Sequence, residues 1–368
     1  MKLFCSRKDL ETALNIVNKA ISSNNTLPVL NNILVKAEGK KLLFSATNLE
    51  IAISYFIEAD VRAEGAITIP AKLITSYISL LNDEKVELSI TDGLNLLVQS
   101  STSTTKIKCI SADEFPLIPK VDAEQTFKVA TDELDAGIME SVFAASTNVS
   151  RPVLSGVYCL VDGSEMKMVA TDSYRLAERK VALKDKVEGS ISCIIPSKTI
   201  SELGKVTSHT DSKEVEVSVS KNQVLFKVGN VELVSRLIEG KFPEYERIIP
   251  KEGKTKLEVS VDDLALVVKR VNLFARENNN SVKLTATNDG KLIVSTDETK
   301  VGEEKAEVAI KIDGENNKIS LNSQYLLDVL TYLNDDKVMI EMSDKLSPAV
   351  IKPVNREDYV YIIMPLKV

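Results

Sequence analysis

Two spacings of apolar residues alternate along the 368-residue chain. The first is helical. Leu10, Leu14 and Val17, then Leu134, Ile138 and Val142, then Leu264, Val268 and Val271 recur at i, i+4 and i+7 or i+8, which predicts amphipathic helices over 9–20, 132–145 and 262–275. Asp or Ser just ahead of each run offers an N-cap, because its side-chain oxygen can accept from the free amides of the first turn. The second spacing is the alternation of strands, as in Leu94-Asn95-Leu96-Leu97-Val98 and Lys221-Asn222-Gln223-Val224-Leu225-Phe226.

These elements recur as a set. Three segments run strand, short break, helix, strand. Ile67-Thr68-Ile69-Pro70-Ala71-Lys72-Leu73-Ile74 leads to the strand Lys85-Val86-Glu87-Leu88-Ser89-Ile90. Cys193-Ile194-Ile195-Pro196-Ser197-Lys198-Thr199-Ile200 leads to Glu214-Val215-Glu216-Val217-Ser218-Val219, and Ile319-Ser320-Leu321-Asn322-Ser323-Gln324-Tyr325-Leu326 leads to Lys337-Val338-Met339-Ile340-Glu341-Met342. The anchors Pro70, Pro196 and Asn322 stand 126 residues apart at each step. Leu27-Pro28-Val29-Leu30, Arg151-Pro152-Val153-Leu154 and, more weakly, Asn279-Asn280-Ser281-Val282 each open a strand pair. Phe115-Pro116, Phe242-Pro243 and Met364-Pro365 close the copies.

Independent anchors with one period predict three like domains, 1–120, 121–251 and 252–368, each an α+β unit of two helices packed on antiparallel sheets. A head-to-tail row of like domains has unlike ends with unpaired sheet edges. Such edges permit a ring, a filament or a capped monomer, and the pattern alone does not choose.

Composition narrows the chemistry. Hydrophobic residues are 44% and charged residues 27%, as in ordinary globular proteins. No apolar run approaches the roughly 18 residues of a membrane span, and the N-terminus lacks a signal-peptide core. Cys5, Cys109, Cys159 and Cys193 form no CxxC pair, so structural zinc is not expected and reduced cytoplasmic thiols are. His209, the only histidine, lies in a polar stretch and reads as a surface residue. Gly156 and Gly163 are the closest glycines, so neither GxGxxG nor GxxxxGK can occur. No active site, metal or cofactor is expected. The formal charge of −7 speaks against holding nucleic acid by bulk positive charge, and aromatics at 5% with no Trp leave few platforms for stacking bases.

Several segments carry a resemblance. Thr26-Leu27-Pro28-Val29-Leu30 with Thr47-Asn48-Leu49-Glu50, the run Val169-Ala170-Thr171-Asp172-Ser173-Tyr174-Arg175-Leu176-Ala177, Gly240-Lys241-Phe242-Pro243-Glu244-Tyr245 and the ending Tyr361-Ile362-Ile363-Met364-Pro365-Leu366 are similar, in order and copy, to the bacterial DNA polymerase III beta subunit family, the sliding clamps. The resemblance spans the whole chain. It implies a homodimer closed head to tail into a six-domain ring, helices inside and sheets outside, through which duplex DNA passes without sequence readout. It implies a non-catalytic processivity factor of the cytoplasm that tethers the polymerase III alpha subunit, the clamp loader and other proteins bearing a clamp-binding motif.

The family's docking groove carries over to Leu154, Thr171, Leu176, Pro243, Ile248, Ile362, Met364 and Leu366 as apolar walls, with Ser173, Tyr174 and Pro365 beside them and Arg175 and Arg247 as rim donors. Tyr174 stands where the family often has His, and Lys367 where a terminal Arg is common. For DNA, the faces opposite the apolar stripes offer Lys8, Asn15, Lys19, Lys72, Lys198, Lys205, Lys269 and Arg270, with Arg151 and Asn24 on adjoining loops. Asp132, Glu133, Asp135 and Glu140 on the second copy's first helix would make the lining unevenly positive. A ring held by topology reconciles DNA with an acidic chain, since it need not grip phosphates. Competing readings are a repeat scaffold that gathers partners without DNA, and a carboxylate–metal phosphoesterase, which the missing motifs disfavour.

Overall fold

The computed structural model describes residues 1–22, 27–148, 150–250 and 252–366. Among these residues six α-helices lie between strands whose pairings are antiparallel: α1 Arg7–Val17, α2 Ala71–Ser79, α3 Thr131–Ser141, α4 Ser197–Thr207, α5 Val261–Ala275 and α6 Ser323–Tyr332. The apolar stripes hold: Leu10, Leu14 and Val17, Leu134 and Ile138, and Leu264, Val268 and Val271 are buried. Ser6 and Ser260 cap α1 and α5, each accepting at 3.3 Å from the amide three residues on. Two of the expected helices end sooner than their stripes suggest. α1 tightens into a 3-10 turn at Asn18–Ala20 and α3 at Val142–Ala144, which leaves Val142 half-buried.

Pro70, Pro196 and Asn322 are each the last residue of a strand, immediately before α2, α4 and α6. Pro ends the strand at no cost because its missing donor faces a helix start, where no partner is needed. Asn322 does more, accepting from the amides of Gln324 and Tyr325. The Leu-Pro-Val-Leu and Arg-Pro-Val-Leu segments do not begin strands directly. Pro28–Asn31 and Pro152–Ser155 are 3-10 turns that lead into them, since proline's fixed φ suits a first helical position. In the third copy this turn is replaced by Asn279 and Asn280, both with positive φ.

The contacts divide into two compact units, Met1–Asp132 with Lys198–Leu237, and Glu133–Ser197 with Ile238–Val368. The division cuts through the second copy. In the first unit α1 packs on α2, and the strand Val231–Arg236 of copy two extends the sheet of copy one by pairing with Ile51–Glu58. A second sheet there ends in the strand Thr104–Lys108. In the second unit α5 packs on α6, and the closing strand Tyr359–Ile363 of copy three pairs with Arg175–Arg179 of copy two. The long strands Gly156–Thr171 and Arg175–Pro196 form one twisted hairpin, with bulges around Gly163. A four-stranded sheet in this unit ends in Lys305–Ala309.

Candidate functional site

The expected groove residues all fall within the second unit, and two of them, Leu176 and Ile362, belong to one apolar cluster. Its buried members are Val169, Leu176, Ile194, Phe242, Tyr245 and Ile362, with Val153, Tyr158, Ile238, Ile249 and Val360 packed against them. Tyr158 stacks on Phe242 at 4.9 Å between centroids, and Tyr245 meets Phe242 edge-on at 6.2 Å. Leu154, Thr171, Leu176 and Ile362, expected as walls, are buried beneath the surface. What solvent meets is Tyr174, Pro243, Arg247, Ile248 and Met364, with Pro365 and Leu366 half-buried. At 62% exposed, Tyr174 is far too open for a core residue.

The hairpin turn before Leu176 is fixed by its own polar side chains. Thr171 Oγ1 donates to the Arg175 carbonyl at 2.6 Å and accepts from the Ser173 amide at 3.1 Å. Asp172 Oδ1 accepts from the amides of Tyr174 and Arg175 at 2.9 and 3.0 Å. These bonds hold Ser173 at φ 81°, a left-handed conformation that costs a non-glycine residue energy and needs such support. Beyond the closing strand, the Met364 amide donates to the Tyr174 carbonyl at 2.8 Å and the Leu366 amide to Ser320 at 2.8 Å, so the C-terminal segment lies along the turn. Gly240 completes the wall. Its φ is 136°, and a Cβ there would stand 2.7 Å from Val153 Cγ2.

Two arginines have partners that the sequence did not announce. Arg175, expected as a rim donor, has its guanidinium committed internally. Its Nε donates to Asp172 at 3.0 Å, its Nη2 to the Phe143 carbonyl at 2.7 Å and its Nη1 to Asp328 of α6, and it lies 4.5 Å above the Tyr325 ring. Burial alone would lower its pKa, but Tyr361, Asp328 and Asp172 more than reverse this, and the side chain stays charged. Arg151, expected to face DNA, instead donates to Ser173 Oγ at 3.3 Å from an exposed position. It is Arg151, with Arg247 held 2.9 Å from Glu244, that supplies cationic groups beside the groove.

The other expected DNA-facing residues are scattered over exposed helix faces. Lys8 and Asn15 lie on α1, Lys72 on α2, Lys198 and Lys205 on α4, and Lys269 and Arg270 on α5, all exposed. Asn24 lies outside the described residues, as do Thr26 and Lys367 of the resemblance. Lys205 pairs with Glu202 at 2.9 Å, and Arg270 stands 4.0 Å from Glu304. Burial and the nearby Lys205 lower the pKa of Lys19 while Glu202 opposes them, so the 3-10 turn after α1 and the helix α4 bring these charges together. Glu140 is not part of any lining. It is buried and ion-paired with Arg179 at 2.7 Å and with Arg356 at 2.5 Å. His209 is exposed, its Nδ1 2.7 Å from the Lys205 carbonyl.

Sequence reasoning missed Val153, Tyr158, Phe143, Tyr325 and Asp328. Val153 and Tyr325 sit in segments already singled out, and alternation along the strand Gly156–Thr171 could have found Tyr158. Asp328 offered no signal, since only tertiary packing brings it to Arg175. Among the described residues no group of three or more His, Cys, Asp or Glu could hold a metal ion.

Comparison with known proteins agrees with this geometry. Family models for the N-terminal, central and C-terminal domains of the DNA polymerase III beta subunit match residues 1–119, 128–244 and 246–367. The beta sliding clamp of Staphylococcus epidermidis is 33% identical over 363 residues, covering 96% of each chain. That of Staphylococcus aureus is 32% identical, covering 100% of this chain and 99% of its own. The crystal structure of the Bacillus subtilis DNA polymerase sliding clamp superposes with a TM-score of 0.95 at 30% identity, covering 100% of this chain and 99% of that one. The Pseudomonas aeruginosa subunit gives 0.95 at 27% identity, covering 100% of both chains. With three clamp modules in order and a turn fixed by its own side chains beside a buried apolar cluster, the chain belongs to the beta sliding clamps, the non-catalytic processivity subunits of DNA polymerase III.

Proposed function

We propose that this clamp pairs head to tail with a second copy of the same chain, closes around duplex DNA in the cytoplasm, and engages its partners through the groove of the second unit. Its domains are then the three copies, 1–120, 121–251 and 252–368. The partners are the polymerase III alpha subunit, the clamp loader and other proteins with a clamp-binding motif. The observation that carries this reading is the bond from the Met364 amide to the Tyr174 carbonyl. It sets Met364 beside Tyr174 above a buried apolar cluster, with Arg151 and Ser173 at the same turn. A short extended peptide with Leu or Phe anchors suits such a surface, because Met and Leu side chains repack around varied guests. Tethering then turns a weak peptide contact into lasting association by raising effective concentration at the primer end.

The sheet edges support the closure. Thr104–Lys108 ends one sheet and exposes Lys106 and Lys108, while Lys305–Ala309 ends another and exposes Lys305 and Glu307. Among the described residues no strand covers either outer edge. Unpaired edges of this length favour strand addition. The exposed Lys and Arg of the helices need only repel no phosphate, since a closed ring is retained by topology. No helix among the described residues is long and apolar enough to cross a membrane.

The test is sizing in solution with a run-off assay. The loaded protein should persist on circular DNA and leave linearised DNA, and equal retention on both would overturn encirclement. Deleting residues 364–368 should abolish polymerase stimulation while leaving the dimer intact. Undiminished stimulation would remove the groove from the mechanism.

A further inference from the structure

The second unit contains a pair of thiols that the clamp function does not use. Cys159 and Cys193 are direct partners across the hairpin of Gly156–Thr171 and Arg175–Pro196. The ladder is regular there, since its register shifts fall only around Gly163. Residues directly opposite in an antiparallel pair have Cα atoms about 4.5–5.5 Å apart and side chains on the same face. That spacing lies inside the roughly 4.4–6.8 Å range of disulfides, so a bond needs no backbone movement. The Cys193 side chain is near enough to act on the Cys159 thiol. Apolar rungs flank them, Val157 with Ile195 and Val161 with Ile191.

We infer that Cys159 and Cys193 are an oxidation site, closing an intrachain disulfide when the protein meets hydrogen peroxide. The two thiols are not equivalent, and their difference orders the steps. Cys159 is buried, and the neighbouring Cys193 sulfur and the loss of solvent push its pKa well up. Cys193 is partly exposed and is reached first. Its thiolate attacks one peroxide oxygen; the O–O bond breaks, hydroxide leaves, and Cys193 becomes a sulfenic acid. The Cys159 sulfur then attacks the Cys193 sulfur; the S–OH bond breaks, and that hydroxide takes the Cys159 proton and departs as water. Overall two thiols and one peroxide give one disulfide and two waters, with both sulfurs oxidised and both peroxide oxygens reduced. The other thiols lack such a partner. Cys5 pairs with Val86 across its ladder, and burial with Asp9 nearby pushes its thiol up to about 12; the Cys109 thiol donates to the Ile107 carbonyl at 3.4 Å.

The experiment uses the full-length, fully reduced protein exposed to hydrogen peroxide, then denatured, alkylated and mapped by mass spectrometry. Two of the four thiols per chain should escape alkylation, in one peptide pair joining Cys159 to Cys193, and dithiothreitol should restore both. The Cys5→Ala, Cys109→Ala double variant should give the same pair. The oxidised protein should melt several degrees higher than the reduced one, because the link restricts the unfolded chain, and Cys159→Ala should lose that shift. Sulfonic acid at Cys193 beside an alkylated Cys159 would overturn the inference, as would a Cys193 link between two chains. Full alkylation at all four positions after peroxide would overturn it too.

Discussion

The turn at 171–175 and its counterpart at 47–51 are one backbone object carrying different side chains. In both, a Thr hydroxyl donates to the carbonyl four residues on and accepts from the amide two residues on. In both, the next side chain, Asp172 or Asn48, accepts from two successive amides. In both, the middle residue has positive φ, 81° at Ser173 and 75° at Leu49. Even the incoming strand matches, with the Arg236 amide donating to Glu50 at 3.0 Å as Met364 does to Tyr174. Yet the second copy builds a broad apolar cluster above Leu176, and the first a smaller one from Val29, Leu30 and Phe115. Where the second copy has Tyr174, Arg175 and Leu176, the first has Glu50, Ile51 and Ala52. The repeat supplies the same turn twice, and on the proposed function three side chains distinguish the binding surface from its counterpart. Preorganisation matters because a groove already in its bound shape spends no ordering entropy on its guest.

The comparison breaks most visibly at Leu176. Leu176→Ala gives the second turn the residue of the first, but in a cluster built around the larger side chain. Denaturant unfolding should show a loss of about 3 kcal/mol, the usual cost of a buried Leu→Ala cavity, together with weakened peptide binding. A midpoint unchanged from the parent would mean that the two platforms do not differ in packing. The next effect is at Asp328, which takes up the Arg175 guanidinium. Both groups keep some solvent access, so Asp328→Ala should cost about 1–2 kcal/mol, below the value for a fully buried pair. In an Arg175→Ile background, with the first turn's residue in place, the same change should cost clearly less. Equal costs in the two backgrounds would show that Asp328 acts without Arg175.

This contrast also marks what the chain made legible before its fold was known. The repeat and the helix stripes follow from local pattern, because a buried face imposes its period on whatever sequence covers it, whereas the groove rests on the family resemblance. Pro70, Pro196 and Asn322 show their role through strand ends alone. The roles of Arg175 and Arg151 were not legible. Both are cations near one turn, and only the arrival of Asp328 and the Phe143 carbonyl consumes the donors of Arg175. Glu140 shows the same limit: it sits among acidic neighbours in sequence, and tertiary contact alone buries it against Arg179 and Arg356. Charge in a sequence says that a partner is required, not where the partner stands.

Tyr174 separates binding from stability. Its side chain is open to solvent, and Tyr174→Glu, the first turn's residue, should leave unfolding within about 0.5 kcal/mol. Affinity for a clamp-binding peptide, followed by calorimetry, should fall about tenfold, as for an aromatic anchor at an interface. Glu50→Ala should change neither.

The smallest effect bears on the platform itself. Ser173 and Leu49 both sit at positive φ, where a Cβ crowds the backbone and glycine relieves the strain. Glycine also gains freedom in the unfolded chain, which returns part of the benefit. Leu49→Gly, at a half-open position with little packing to lose, should therefore raise stability by about 0.5–1 kcal/mol. Ser173→Gly relieves similar strain but removes the acceptor of Arg151, a long bond at an exposed site, so its gain should be smaller by a few tenths of a kcal/mol. Paired thermal melts of the two variants measure the difference directly. If Ser173→Gly stabilised as much as Leu49→Gly, the Arg151 bond would contribute nothing, and the two turns would be equivalent in energy as well as in hydrogen bonding. A net loss at both positions would instead show that the Thr and Asx side chains hold these turns so firmly that the unfolded-state entropy of glycine outweighs the strain it relieves.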